Sequence, residues 1–535
     1  MVDHYDVIVM GAGHNGLVCG AKLARAGLKT LILERRTMVG GSCVTEELWP
    51  GYHVSPTSYV LSMFPGKIMD ELELKRFGFE LIPTDNLFVP FEDGTAMIVW
   101  NDMKDTCNEI AKFSKHDAEA YPEYAAFLNK AASFIRDILW DPAPSRLTPG
   151  AARDAGKFAW KMKKMGRDAF QFVDLMTMSA YDFLAKYFES DKMIATLGYM
   201  GSIGNFVGPK TPGSAYVLLH HNLSEHSGAG GWGFIRGGMS GLTLAIKRSA
   251  ENSGATIITD AEIERVDIAN GRAIGVTLVN GDSYRAGTVV SNADPKTTYL
   301  KLVGENNLPH DIVTDVQQFN TFSTAFKLNM TLDALPDYTG WDKKYGEAAA
   351  YVHIGPSVQY LEKAYDDAKY GRESEWPWAS PVIPTMHDDT LAPKGKHIMT
   401  AFGGHSPYEL AEGEWTEERK EAFADRVIEA IERFAPGLSS RITNRQMLLP
   451  KDLERIYALP QGHIFHGELS INQMYVMRPV PGYADYRTPV KDLYMCGSGT
   501  HPGGGVFGVP GYNAAGEILN DRKLGRLKAK LSVGR

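Results

Sequence analysis

An α/β fold built on a parallel sheet is what this sequence predicts, and three observations predict it. A short apolar strand runs into a glycine-rich turn and a helix at the N-terminus. Strand and helix patterns resume near residue 232, and a strand, a glycine-dense loop and a helix close the chain after residue 479. One domain assembled from three separated segments follows, 1-85, 232-300 and 479-535.

Val7, Ile8, Val9 and Met10 form a continuous apolar run, which suits a parallel strand covered on both faces. It enters Gly11-x-Gly13-x-x-Gly16. Leu17, Ala21 and Ala24 then recur at helical spacing, Gly27 stops the helix, and Thr30-Leu31-Ile32-Leu33 is a second buried strand ending at Glu34. Each glycine has its own reason: Gly11 allows the tight turn, Gly13 lets a pyrophosphate reach the backbone, and Gly16 lets helix and strand pack closely. Free amides at the helix start hold phosphate. Glu34, about 20 residues downstream, can accept hydrogen bonds from ribose hydroxyls and would repel a 2′-phosphate. The unit therefore predicts the adenosine diphosphate half of an unphosphorylated dinucleotide.

Regularity fades near Pro83. From Thr106 to Ser190 the pattern is mostly helical, with Phe158, Met162, Met165, Ala169, Phe172 and Met176 on one face. The other face is basic: Arg153, Lys157, Lys161, Lys163, Lys164 and Arg167 stand against Asp154 alone, which raises the expectation of peripheral contact with anionic lipid. Farther on, a helix over Leu242 to Asn252 precedes strands at 255–259, 263–268, 273–279 and 288–291. Asn270-Gly271 and Asn280-Gly281 serve as turns that accept positive φ. Leu493 to Cys496 is a last strand, and a new helix begins at Val509. Backbone amides bared by glycine at such a helix start can stabilise negative charge on a bound ring system.

Several classes are excluded or disfavoured. With 56 basic and 64 acidic residues among 535, a net charge of −8 gives no global positive field for nucleic acid. Four cysteines, Cys19, Cys43, Cys107 and Cys496, form neither a disulfide framework nor a C-x-x-C pair. The N-terminal residues lack a leader-like pattern, and the uncharged stretch from Met193 to Pro209 is broken by four glycines, so a cytosolic location is expected. Gly228 to Gly233 repeats the G-x-G-x-x-G spacing without a strand before it and is expected to be loop. His220, His221, Glu225 and His226 miss the H-x-x-E-H spacing, and His463 with His466 lacks a third ligand nearby, so no metal is expected.

Glu34, Arg35 and the pair Gly40-Gly41 extend the first motif so that it resembles the FAD fingerprint of the glutathione-reductase superfamily, although Ser42 stands where that family often carries arginine. Together with Arg236-Gly237-Gly238, the run Gly497-Ser498-Gly499-Thr500-His501-Pro502-Gly503-Gly504-Gly505-Val506 and the stretch Pro510 to Ala515, the sequence is similar to the phytoene-desaturase-like branch of the FAD-dependent amine-oxidase and carotenoid-desaturase superfamily. The resemblance implies a Rossmann-like, discontinuous FAD-binding domain and a mixed α+β substrate domain made of 86-231 and 301-478. It implies that Gly11, Gly13, Gly16 and Glu34 hold the adenosine diphosphate half and that Val266 offers its backbone to adenine. Gly497, Gly499, Val506 and Val509 would line the flavin half.

The expected activity is removal of hydride from a hydrophobic substrate, polyene or isoprenoid, with O2 or a quinone as electron acceptor. Aromatic and methionine side chains of 170–200 and 216–232 are expected to wall the substrate site. His501 is the one titratable candidate for a proton acceptor, and catalytic residues are otherwise unassigned. A saturase or isomerase using the same cofactor is the nearest alternative. A non-enzymatic lipid- or prenyl-binding protein, as in the Rab GDP-dissociation inhibitors that share the fold, is the alternative from another class. The oligomeric state is left open.

Overall fold

Val7–Met10 and Thr30–Leu33 are fully buried strands paired in parallel, with Val7 opposite Thr30. In the computed structural model, which describes residues 4–84, 86–144, 149–224 and 232–533, they sit inside a five-stranded parallel sheet. Its order is Thr256–Ile258, Thr30–Leu33, Val7–Met10, Val289–Ser291, Leu493–Met495, so three distant segments supply one sheet.

Side-chain alternation decides what covers each face. Val7, Val9 and Ile32 point into a core shared with Leu17, Val18, Leu242, Ala245 and Ile518, from the helices His14–Arg25, Ser240–Asn252 and Val509–Val533. Ile8, Met10, Leu31 and Leu33 point the other way, onto Val266, Ala273, Val276 and Leu278 of an antiparallel meander, Ile263–Ala269, Arg272–Leu278 and Ser283–Ala286. The two expected turns of that meander differ. Asn270 and Gly271 both take positive φ, +51 and +70, whereas at the second turn only Gly281 does, at +92. There Asn280 uses its side chain instead, accepting the Asp282 amide at 3.0 Å.

The second body is a four-stranded antiparallel sheet in the order Trp378–Val382, His397–Gly404, Ala325–Leu332, Ile442–Leu448. Phe326, Leu328, Met330 and Leu332 pack with Phe423, Val427 and Ile431 of the helix Glu417–Glu432. By alternation Lys327, Asn329 and Thr331 face the opposite side, and Asn329 donates to Pro56 O of the first body at 3.2 Å. A sheet with a polar face that is nonetheless buried marks where the two bodies meet.

The helices Lys115–Ile138, Pro149–Met165, Asp168–Thr177, Asp191–Gly198 and Ser214–His221 contribute Phe127, Met165, Phe172, Ile194 and Tyr216 to the core that Val7 and Val9 share. The apolar face read from Phe158 to Met176 is divided between two helices, because Gly166 takes φ +62 and ends the first. Among the described residues no helix is long and apolar enough to cross a membrane. The second glycine spacing lies almost wholly, and Glu225 and His226 lie fully, in 225–231, outside the described residues.

Candidate functional site

A cleft of about 670 Å³ runs from the tips of the parallel strands to the polar face of the antiparallel sheet. That is within the roughly 300–1,000 Å³ of small-molecule and cofactor sites. Seven of the sequence-predicted residues line it: Gly11, Gly13, Glu34, Arg35, Gly40, Gly41 and Val506.

The strand-tip end is braced by its own backbone. The Gly11 amide donates to Leu33 O at 2.7 Å and the Gly40 amide to Ala12 O at 2.9 Å. Gly11 needs its freedom, since φ is +94. Glu34 accepts the Ala12 amide on Oε2 at 2.8 Å and the Arg36 amide on Oε1 at 3.0 Å. Each carboxylate oxygen keeps a lone pair, so the group is aimed and still able to accept hydroxyl protons. Arg35 donates to Ile456 O at 2.8 Å. Arg36 pairs with Glu46 at 2.8 Å and lies over the Tyr457 ring, whose hydroxyl donates to the same carboxylate at 3.0 Å. These contacts hold the helix Pro450–Tyr457 of the second body beside the cleft.

Six predicted residues do not line the cleft. A Cβ on Gly16 would stand 2.1 Å from Gly11 O, so this glycine serves contact between helix and turn. Gly497 and Gly499 are likewise crossing points: a Cβ would meet Asn292 O at 2.6 Å and Pro295 Cδ at 2.4 Å, and Ser498 between them reaches the cleft instead. Val266 is buried in the core of the meander, while Ile263, three residues earlier on the same strand, lines the cleft. Val509 is core. His501 is buried with its ring edge-on to Tyr475 at 5.5 Å, and burial pushes its pKa down to about 4. It is removed from the cleft, which contradicts its candidacy as proton acceptor there.

The glycine-dense loop is held by side chains the sequence did not single out for this task. His14 Nε2 donates to Gly505 O at 3.0 Å, and His220 Nε2 to Gly504 O at 3.0 Å. Arg478, fully buried, donates to the carbonyls of Glu468, Gln473, Phe465, Gly467 and Ser498. A guanidinium spreads several donors in one plane, so one side chain ties two loops together.

The inner end is aromatic. Tyr59 stacks near Phe402 with centroids 6.3 Å apart, Trp232 lies parallel to His221 at 6.1 Å, and Phe465 closes on His221 at 6.1 Å. Burial pushes the His221 pKa down to about 4, so it is neutral at neutral pH. The expected window 170–200 supplies none of this wall, and the window 216–232 supplies His221 and Trp232. The remainder comes from 59–63, 203, 326–327, 402 and 464–465.

Lys327 lies in this end, 2 % exposed, with Nζ 3.6 Å from the Tyr59 ring centroid and no hydrogen-bond partner among the described residues. Burial drives its pKa well below the ordinary lysine value. An amine whose charged form is disfavoured by burial can serve as a proton acceptor in an apolar site. Its only sequence signal is a charged residue inside an otherwise strand-like run, Ala325 to Leu332.

The family described as flavin containing amine oxidoreductase matches residues 16–519. The pyridine nucleotide-disulfide oxidoreductase domain-containing protein 2 of Mus musculus is 39 % identical over 549 residues, covering 97 % of this chain and 94 % of its own. The lycopene-forming phytoene desaturase of Pseudescherichia vulneris is 24 % identical over 519 residues, covering 94 % and 96 %. A solved putrescine oxidase with bound putrescine superposes with a TM-score of 0.63 at 14 % identity, over 98 % of this chain and 99 % of that one, a likeness of fold.

Proposed function

Since the chain belongs to the flavin containing amine oxidoreductase family, we propose that it is an FAD-dependent dehydrogenase of a neutral, apolar substrate, polyene or isoprenoid in kind, with O2 or a quinone as final acceptor. FAD is its cofactor, and the residues present fit it. At Gly13 a Cβ would meet only the Asn292 side-chain amide, at 2.8 Å, so the glycine leaves the cleft floor bare. Glu34 would accept the ribose hydroxyls, Ile263 would take the adenine role expected of Val266, and Gly505 with Val506 would line the flavin half. When bound, FAD supplies a two-electron acceptor for hydride.

One observation carries the substrate reading: among the described residues the inner end is aromatic and contains no carboxylate. Glu34, Glu262, Glu264 and Asp294 belong to segments around the parallel sheet, and Glu454 to the helix Pro450–Tyr457 beside Arg35. No described residue of the inner end pairs with a cationic amine, and desolvating one there would be costly. Forming a C=C bond takes a hydride from one carbon and a proton from its neighbour. Lys327 Nζ is the group that takes that proton, and the aromatic walls orient the chain and exclude water.

Anaerobic bleaching of the flavin band tests this. Apolar terpenoids or polyenes are expected to bleach it, and aliphatic amines are expected to leave it unchanged; bleaching by amines alone would overturn the substrate class. Glu34→Ala is expected to weaken FAD binding on the order of 100-fold, the loss of charge-assisted hydrogen bonds worth about 2 to 3 kcal/mol. Titration of the apoprotein reads it, and an unchanged affinity removes Glu34 from the ribose role.

A further inference from the structure

The helices Pro149–Met165 and Asp168–Thr177 form a hairpin hinged at Gly166, and their inner side is fully employed. Phe158 and Phe172 pack on Phe134 with centroids 5.6 and 5.0 Å apart, and Met165 and Leu175 are buried. The outer side is unusual for a helix pair over a core. Trp160 is 58 % exposed, Phe170 76 % and Val173 51 %, and no described part of the chain covers them. Phe170 and Val173 are three residues apart and so share one helical face.

Basic side chains accompany this apolar face. Lys163, Lys164 and Arg167 are exposed, and Lys164 Nζ lies 3.6 Å from the Trp160 ring centroid. The acids nearby are already paired, Asp168 with Lys130 and Asp174 with Lys186. The patch therefore combines large apolar side chains with an excess of positive charge, the pairing that seats a helix in the headgroup layer of an anionic bilayer.

We infer that this hairpin docks the protein on an anionic lipid surface, Trp160, Phe170 and Val173 entering the interface while Lys163, Lys164 and Arg167 meet the headgroups. Charge complementarity chooses the lipid over a second copy of the chain, because a two-fold contact through this patch would set like charges against one another. The side chains of Arg153, Lys157 and the basic tail from 526 onward lie outside the described residues and are not needed. The inference stands apart from the substrate reading, since binding is read without turnover.

The test is cosedimentation of the flavin-loaded protein with vesicles of phosphatidylcholine alone and of phosphatidylcholine mixed with phosphatidylglycerol. Binding to the anionic vesicles only, weakened by salt, is expected. Phe170→Ser/Val173→Ser and Lys163→Glu/Lys164→Glu should each reduce it about tenfold or more, from lost apolar insertion and lost headgroup attraction respectively. Their flavin absorbance should stay that of the wild type, which separates lost docking from lost folding. Equal binding to both vesicle types, or variants that bind like the wild type, would overturn the inference. A wild-type dimer in sedimentation velocity that the Phe170 variant splits into monomers would also overturn it, in favour of self-association.

Discussion

Lys327→Met is expected to give a more stable protein that barely turns over. Methionine keeps the length and most of the volume of the lysine stem, so the aromatic packing around Tyr59 is retained. What it removes is a buried amine with no hydrogen-bond partner among the described residues, whose desolvation costs about 1 to 3 kcal/mol. Thermal stability should therefore rise by roughly a few degrees. The pH dependence carries a second signature. Burial depresses the folded-state pKa below the unfolded value of about 10.4, so the wild type pays an increasing penalty as pH falls from that value, levelling off below the folded pKa. The stability advantage of the variant should widen from pH 10 downward and then hold constant. Turnover should fall by about 10² to 10⁴, the range for loss of a positioned base, while flavin content is unchanged. In the wild type the same group gives an acid limb, since protonating Nζ removes its capacity to accept. Loss of stability with full activity in Lys327→Met would assign the lysine to packing and leave the proton without an acceptor.

The sequence made the parallel sheet legible because its signals are local. Val7 to Met10, the three glycines and Thr30 to Glu34 lie within one short stretch, and each residue type has a single physical reason to be there. Sites built by crossing segments were less legible. Gly497 and Gly499 look like cofactor-facing glycines, yet they are small because the turn at Asn292 to Pro295 passes against them, a contact across some two hundred residues. Val266 and Ile263 lie on one strand, and the register against the meander, with Val266 opposite Val276, decides which is core. Lys327 is the extreme case. A lysine within Ala325 to Leu332 reads as the polar face of an edge strand, and only the docking of the two bodies turns that face inward. The exposed hairpin was legible in charge but not in its break, because Gly166 sits in an otherwise continuous helical period.

Two single-methyl substitutions in the same turn should separate folding from cofactor binding. In Gly13→Ala the new methyl meets nothing rigid. The backbone at Gly13 has φ −65, which any residue adopts, and the nearest atom is the Asn292 Nδ2 at 2.8 Å, the free end of a side chain that can swing away. The apoprotein should therefore fold with the yield and melting behaviour of wild-type apoprotein. Its methyl occupies the space through which a pyrophosphate approaches the backbone, so FAD affinity should drop by at least about 100-fold. In Gly16→Ala the methyl would stand 2.1 Å from Gly11 O, a main-chain atom locked by the donation of its own residue's amide to Leu33. Relief requires the helix His14–Arg25 to move away from the strand, an overpacking cost of about 1 to 3 kcal/mol or more in the centre of the sheet. That variant should show a lowered melting temperature in the apo form as well as lost flavin. Circular dichroism melts of both apoproteins, with FAD titration by fluorescence quenching, distinguish the two. If Gly13→Ala binds FAD like the wild type, the pyrophosphate does not pass over this glycine, and the dinucleotide reading of the turn must be given up.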